Sequence, residues 1–218
     1  MYQYILFDLD GTLTDSREGI FKSIRYSLEK QGLPCPPEET LLRFVGPPLQ
    51  DSFERFCNLD ADAAWRSVEI FRERYETVGW AENRAAEGIV EMMHRLQAQG
   101  AKMAIASSKP ECSVVPIAEK FGFADYMVAC CGSDGKNEAK RDVVLSAMER
   151  LGMSEDDKAR AIMVGDRKYD VEGAAECGLP CVGVTFFDFA PEGELEASDA
   201  LEICNTVAEL EQFLTENG

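Results

Sequence analysis

From Glu87 to the C-terminus, short apolar runs alternate with amphipathic segments that stop at glycine, and no other feature limits the fold as much. The spacing predicts helices over 88–99, 113–121, 139–151 and 169–177. They are closed by Gly100, Gly122, Gly152 and Gly178, as a left-handed residue after a helix favours. Candidate strands lie at 103–106, 126–130, 161–164 and 181–184, and Val207, Leu210, Phe213 and Leu214 mark a last helix. Strands alternating with helices imply an α/β fold with a doubly wound parallel sheet. In such a sheet, ligands bind beyond the carboxyl ends of the strands.

One more strand of this sheet is expected at the N-terminus, in the run from Tyr4 to Thr14. Ile5, Leu6 and Phe7 read as a buried strand that stops at Asp8, and Asp10 follows just before Gly11 lets the backbone turn. Placing two like charges at the end of a hydrophobic strand is costly unless a cation or a reaction needs them. Asp8 and Asp10 are therefore the candidate chemical centre. Residues 15–85 have a different character. Ile20, Ile24, Tyr26 and Leu28 recur at helical spacing up to Gly32. A short helix is expected over 38–44, another around Leu49, Phe53 and Phe56, and a fourth over 62–78 with Trp65, Val68, Phe71 and Tyr75 on one face. This reads as an all-helical domain, 15–85, inserted into an α/β core made of 1–14 and 86–218.

Composition narrows the partners. A net charge of -18 argues against a nucleic acid polymer, whose phosphates need clustered Lys and Arg. No apolar run approaches the roughly 20 residues of a membrane span, and no basic, then apolar, leader precedes Tyr4, so a cytoplasmic protein with no membrane partner is expected. Eight cysteines form no CxxC pair and stand beside a single histidine, which fits reduced thiols better than a zinc site. Nothing in the sequence signals an oligomeric state.

Asp166 and Asp170 follow another apolar strand and could join Asp8 and Asp10 as an oxygen-only ligand set, the kind that Mg²⁺ prefers. The bland alternative is that Asp166 caps a helix and Asp170 is a solvated first-turn acid. Ser107 offers a hydroxyl at a strand end, with amides after it that can bind an anion, although a Ser107-Ser108 pair is also an ordinary turn. Lys140, with Lys136 as a rival, could neutralise a carboxylate and an incoming phosphate if it turned inward. The one histidine, His94, falls on the polar side of its helix, which disfavours a Ser-His-Asp hydrolase and leaves a carboxylate as nucleophile. There is no GxxxxGK[ST] loop and no glycine-rich dinucleotide fingerprint.

Asp8-Leu9-Asp10-Gly11-Thr12, Ser107, Lys140 and Gly165-Asp166-Arg167-Lys168-Tyr169-Asp170 resemble, in order and spacing, the four motifs of the haloacid dehalogenase superfamily. The helical block falls where one subfamily carries a helical cap. Phe44-Val45-Gly46-Pro47-Pro48-Leu49 and Ala106-Ser107-Ser108-Lys109-Pro110 resemble the phosphoglycolate phosphatase branch, which also holds 5′-nucleotidases. That branch often carries Lys-Pro at its third motif, whereas Arg141-Asp142 follow Lys140 here.

The resemblance implies a Mg²⁺-dependent phosphatase of a small phosphorylated metabolite. Asp8 would attack phosphorus and form an aspartyl-phosphate, and Asp10 would act as general acid and base. Mg²⁺ would be held by Asp8, the Asp10 carbonyl and Asp166, with Asp170 in support. Ser107 and Lys140 would bind the phosphoryl group, and Thr12, Ser108, Arg43 and Arg167 are further substrate contacts. Arg17, Lys22 and Arg25 are weaker selectivity candidates in the helical block. A sugar phosphomutase on the same motifs and, as a non-enzyme, a phospho-receiver module are the competing readings.

Overall fold

The computed structural model describes residues 1–134 and 139–217. The chain divides into two compact units, Met1–Thr14 with Ala85–Gly218, and Asp15–Arg84.

The first unit is built on a six-stranded sheet in the order β5-β4-β1-β6-β7-β8. Its strands are β1 (Tyr4–Phe7), β4 (Lys102–Pro110), β5 (Met127–Ser133), β6 (Ala161–Gly165), β7 (Cys181–Val184) and β8 (Ile203–Cys204). Every described pairing is parallel. The central strands are apolar at successive positions, as expected where helices cover both faces. Leu6 lies in register with Ala104 and Met163, and Ile5 with Met103 and Ile162, so alternate rows face opposite sides. All six residues are fully buried. The Leu6 row packs with Val144, Ala147 and Met148 of α7 (Lys140–Arg150) and Val171 and Ala174 of α8 (Lys168–Glu176). The remaining helices of this unit are α5 (Ile89–Ala98), α6 (Glu111–Lys120) and α9 (Val207–Glu216).

Two differences from the sequence reading bear on the site. β4 does not stop at Ala106 but runs on to Pro110, with a shift of register between those residues. β1 pairs with β4 only as far as Ile105, so Pro110, which has no N–H, sits where one neighbour has ended. The second difference is β8, a two-residue strand too short to leave an apolar run.

The second unit is helical: α1 (Arg17–Lys30), α2 (Glu38–Leu41) continued by a 3₁₀ turn Leu42–Phe44, α3 (Leu49–Cys57) and α4 (Ala61–Tyr75). Ile20, Ile24 and Leu28 of α1 and Val68, Phe71 and Tyr75 of α4 are buried, and Phe44 meets Phe53 edge-on at 5.3 Å. Trp65 departs from the expected apolar face. It is 44% exposed, under the Arg72 guanidinium at 5.7 Å. Short strands β2 (Thr14–Asp15) and β3 (Arg84–Ala85) pair where the chain passes from one unit to the other.

Candidate active site

The candidate residues of the sheet-bearing unit gather at the carboxyl ends of β1, β4 and β6. After Phe7 the ladder continues for one residue, with the Asp8 amide donating to the Val164 carbonyl at 2.9 Å. The backbone then turns back on itself, since the amides of Leu13 and Thr14 both donate to the Leu9 carbonyl. Gly11 makes this turn possible in two ways. Its φ of +91° lies in the left-handed region, and a Cβ there would stand 2.2 Å from Asp166 Oδ2. Gly165 plays the matching part below Asp170, whose Cβ a side chain at 165 would meet at 2.3 Å. Glycine thus lets the two acidic segments approach.

Asp8, Asp166 and Asp170 are all buried, and each can offer a ligand oxygen within 4.8 Å of the others. Among the described residues, one ammonium serves this cluster. Lys140 Nζ donates to Asp8 Oδ1 at 2.6 Å and to the Ala106 carbonyl at 3.1 Å, and pairs with Asp170 Oδ1 at 2.7 Å. Three acceptors for three ammonium protons fix it rigidly. Lys140 enters because α7 and α8 run close together. Gly173 on α8 has no side chain, and a Cβ there would fall 2.6 Å from Lys140 Cγ. Lys136, the rival candidate, lies outside the described residues.

The charges are strained by burial. Desolvation pushes the Asp8 carboxyl up to about 6, against the pull of Lys140. Desolvation, then the charges of Asp170 and Asp8, push Asp166 well above the usual carboxylate range, with the Thr12 hydrogen bond opposing. Burial works to lower Lys140, but the charges of Asp170 and Asp8 prevail and raise it, so it stays protonated. Three carboxyl groups face one ammonium among the described residues, and Asp166 Oδ2 is buried with no hydrogen-bond partner among them. An all-oxygen donor set with an orphaned carboxylate oxygen fits a hard divalent cation.

The other expected residues fall as follows. The Asp10 carboxylate is not one of the trio. It pairs with Lys109 Nζ, at 2.8 Å from Oδ2 and 3.1 Å from Oδ1. Ser107 is buried, its Oγ accepting the Lys109 amide at 3.4 Å, and Ser108 is half-buried beside it. Thr12 Oγ1 donates to Asp166 Oδ1 at 3.0 Å and so orients that carboxylate. The Arg167 guanidinium is held by Glu194 at 2.6 Å. Arg43 is exposed on the 3₁₀ turn of the helical unit. In that unit Arg17 pairs with Asp15, Lys22 with Glu18 and Glu82, and Arg25 with Glu38. His94 is exposed, and all eight cysteines are free thiols. Lys109 and Glu194 are partners of candidate site residues that sequence reasoning did not single out. Lys109 stands inside the quoted Ser-Ser-Lys-Pro run, but nothing at the level of spacing joins it to Asp10.

A lysine-anchored carboxylate cluster at the carboxyl end of a parallel sheet defines a carboxylate-centred enzyme of the α/β class. The family model described as haloacid dehalogenase-like hydrolase matches residues 5–184. A 5′-nucleotidase of Pseudomonas aeruginosa is 37% identical over 98% of this chain and 96% of its own length. The tyrosine-protein kinase PtkA of Mycobacterium tuberculosis is 36% identical over 84% of this chain and 62% of its own. Other relatives are named phosphoglycolate phosphatase. The crystal structure of a Clostridium acetobutylicum protein, described as a predicted phosphatase, superposes with a TM-score of 0.90 at 42% identity, covering 99% of both chains. The chain belongs to the haloacid dehalogenase-like hydrolases and is an enzyme of their phosphatase class.

Proposed function

We propose that the protein is a Mg²⁺-dependent phosphomonoesterase that works through an aspartyl-phosphate on Asp8, and that the helical unit 15–84 acts as its cap. The observation that carries this reading is the 2.6 Å contact between Lys140 Nζ and Asp8 Oδ1 inside a buried acidic cluster. The ammonium keeps the carboxylate ionised and aimed despite its burial, as a nucleophile requires. Asp8 attacks phosphorus, and the P–O bond to the leaving alkoxide breaks as Asp10 gives that oxygen a proton. Asp10 then takes a proton from the water that attacks phosphorus, which frees phosphate and regenerates Asp8. Ser107 and Lys140 bind the transferring group, and Thr12 holds Asp166 in place. Asp8, the Asp10 carbonyl, Asp166 and Asp170 would hold Mg²⁺, which supplies charge neutralisation at the phosphoryl oxygens.

The substrate is a small organic phosphate. A nucleoside 5′-monophosphate is the first to assay, given the 5′-nucleotidase relative that matches nearly end to end, and 2-phosphoglycolate is the second. Phosphate release from these and from a generic aryl phosphate tests the reading, with Asp8→Asn expected to lose at least about 10⁴-fold in kcat. Near-normal turnover by that variant would remove Asp8 as nucleophile. The PtkA relative supports a second reading, transfer to a protein hydroxyl. Incubation with ATP and a tyrosine-bearing peptide separates the two, since only the second yields a phosphopeptide.

A further inference from the structure

The turn that joins Asp166 to Asp170 is held by a carboxylate that no motif contains. Arg167, between them, is buried, and its Nε and one terminal nitrogen donate to the two oxygens of Glu194 at 2.6 and 3.2 Å. The amide of Lys168, the first residue of α8, donates to Glu194 Oε1 at 3.3 Å. Glu194 thus grips both the side chain and the backbone of this turn. The same backbone holds Asp170, whose Oδ2 accepts the Arg167 amide at 3.0 Å. Glu194 is itself anchored, because the adjacent Leu195 is 2% exposed and packs in the sheet core, 3.3 Å from where a Cβ on Gly183 would stand.

The arrangement answers an electrostatic problem. A permanent cation one residue from Asp166 would compete with a divalent metal for that carboxylate, and a buried guanidinium must pair with something. Glu194 supplies the partner. Burial pushes the Glu194 carboxyl up, but the Arg167 hydrogen bonds and charge outweigh it and leave it below its usual value, so it is ionised near neutrality. We propose that Glu194 is a positioning residue for the divalent-cation site: by neutralising Arg167 and clamping the 166–170 turn, it keeps Asp166 and Asp170 available to the metal. This rests on the metal-site reading above.

The test is calorimetric titration of the folded, substrate-free protein with MgCl₂ alone, at matched ionic strength. E194Q is expected to weaken Mg²⁺ binding by about 10- to 100-fold, the range typical for loss of a group that orients metal ligands. R167Q/E194Q, which also removes the competing cation, should bind more tightly than E194Q and within a few-fold of R167Q. A clamp that is merely structural would leave the double variant no better than E194Q. Wild-type affinity in E194Q, or no recovery in the double variant, overturns the proposal. Should E194Q not fold, E194D takes its place, since it keeps the charge but shortens the reach, with a smaller loss expected and an unchanged affinity overturning the proposal equally. Failure of the wild-type protein itself to bind Mg²⁺ overturns the metal-site reading, and this inference with it.

Discussion

Asp10 and Lys109 are 99 residues apart in sequence and 2.8 Å apart in space, with the lysine side chain only 8% exposed. A lysine so enclosed is not a solvated surface charge. It fixes the rotamer of Asp10, the carboxylate proposed to handle protons, and a proton-transfer group displaced by about 1 Å can lose about 100-fold in rate. Lys109→Met should therefore lower kcat for an aryl phosphate by about 10²-fold with little change in KM, and Lys109→Arg by less. A fall in 1/KM at constant kcat would instead make Lys109 a substrate-binding group. The contrast with the aspartates shows what a sequence reveals. Asp8 and Asp166 were legible because an acid at the end of an apolar strand is costly and so carries meaning by itself, and Asp10 and Asp170 follow them at short spacing. Lys109 and Glu194 were not, because each is tied to the site through a partner that only the fold brings near. Thr12 and Arg167 were legible as members of motifs, but their contacts with Asp166 and Glu194 were not.

At the scale of elements, α7 begins with a lysine, against the preference of a helix N-terminus for negative charge. Such a local violation is expected where function overrides propensity. What sets Lys140 in place is the neighbouring helix, through the bare backbone of Gly173. Gly173→Ala should push the lysine stem aside, destabilise the protein by roughly 1–3 kcal/mol as overpacking does, and reduce turnover together with stability. Thermal melts and phosphate release on the same preparation check this, and an unchanged melting temperature would mean that α7 and α8 can separate freely. The helices and central strands were legible from periodicity, since each buries a repeating apolar face. The far end of β4 was not, because Ser107-Ser108-Lys109-Pro110 has the composition of a turn and is held extended only by its pairing with β5, Pro110 opposite Ser133. β8, with two residues, is likewise defined by its neighbour β7 alone.

For the molecule as a whole, two stability measurements follow from charge. In the helical unit, Asp15 is buried between the guanidinium groups of Arg17 and Arg84, each with a nitrogen 2.7 Å from Oδ2. Burial pushes its carboxyl up, but the hydrogen bonds from Arg17 and Arg84 prevail and hold it below its usual value of 3.8. A depressed folded-state value stabilises the protein above the unfolded value, and this stabilisation is lost as pH falls through the folded one. The penalty of Asp15→Asn should accordingly be full at neutral pH and shrink as pH drops below about 3.8. A penalty that does not change with pH would mean that shape, not charge, matters there. Mg²⁺ at ten times its dissociation constant should stabilise the folded state by about 1.4 kcal/mol, seen as a rise of a few degrees in melting temperature that matched NaCl does not give.

The central claim is that Asp8 carries the phosphoryl group. Acid quenching within the first turnover, reduction of the acyl phosphate with borohydride and peptide mass spectrometry read this directly. The account predicts homoserine at position 8, dependent on substrate and lost in Asp8→Asn. A phosphoryl group trapped instead on Ser107 or another residue, or undiminished turnover by Asp8→Asn, would contradict it.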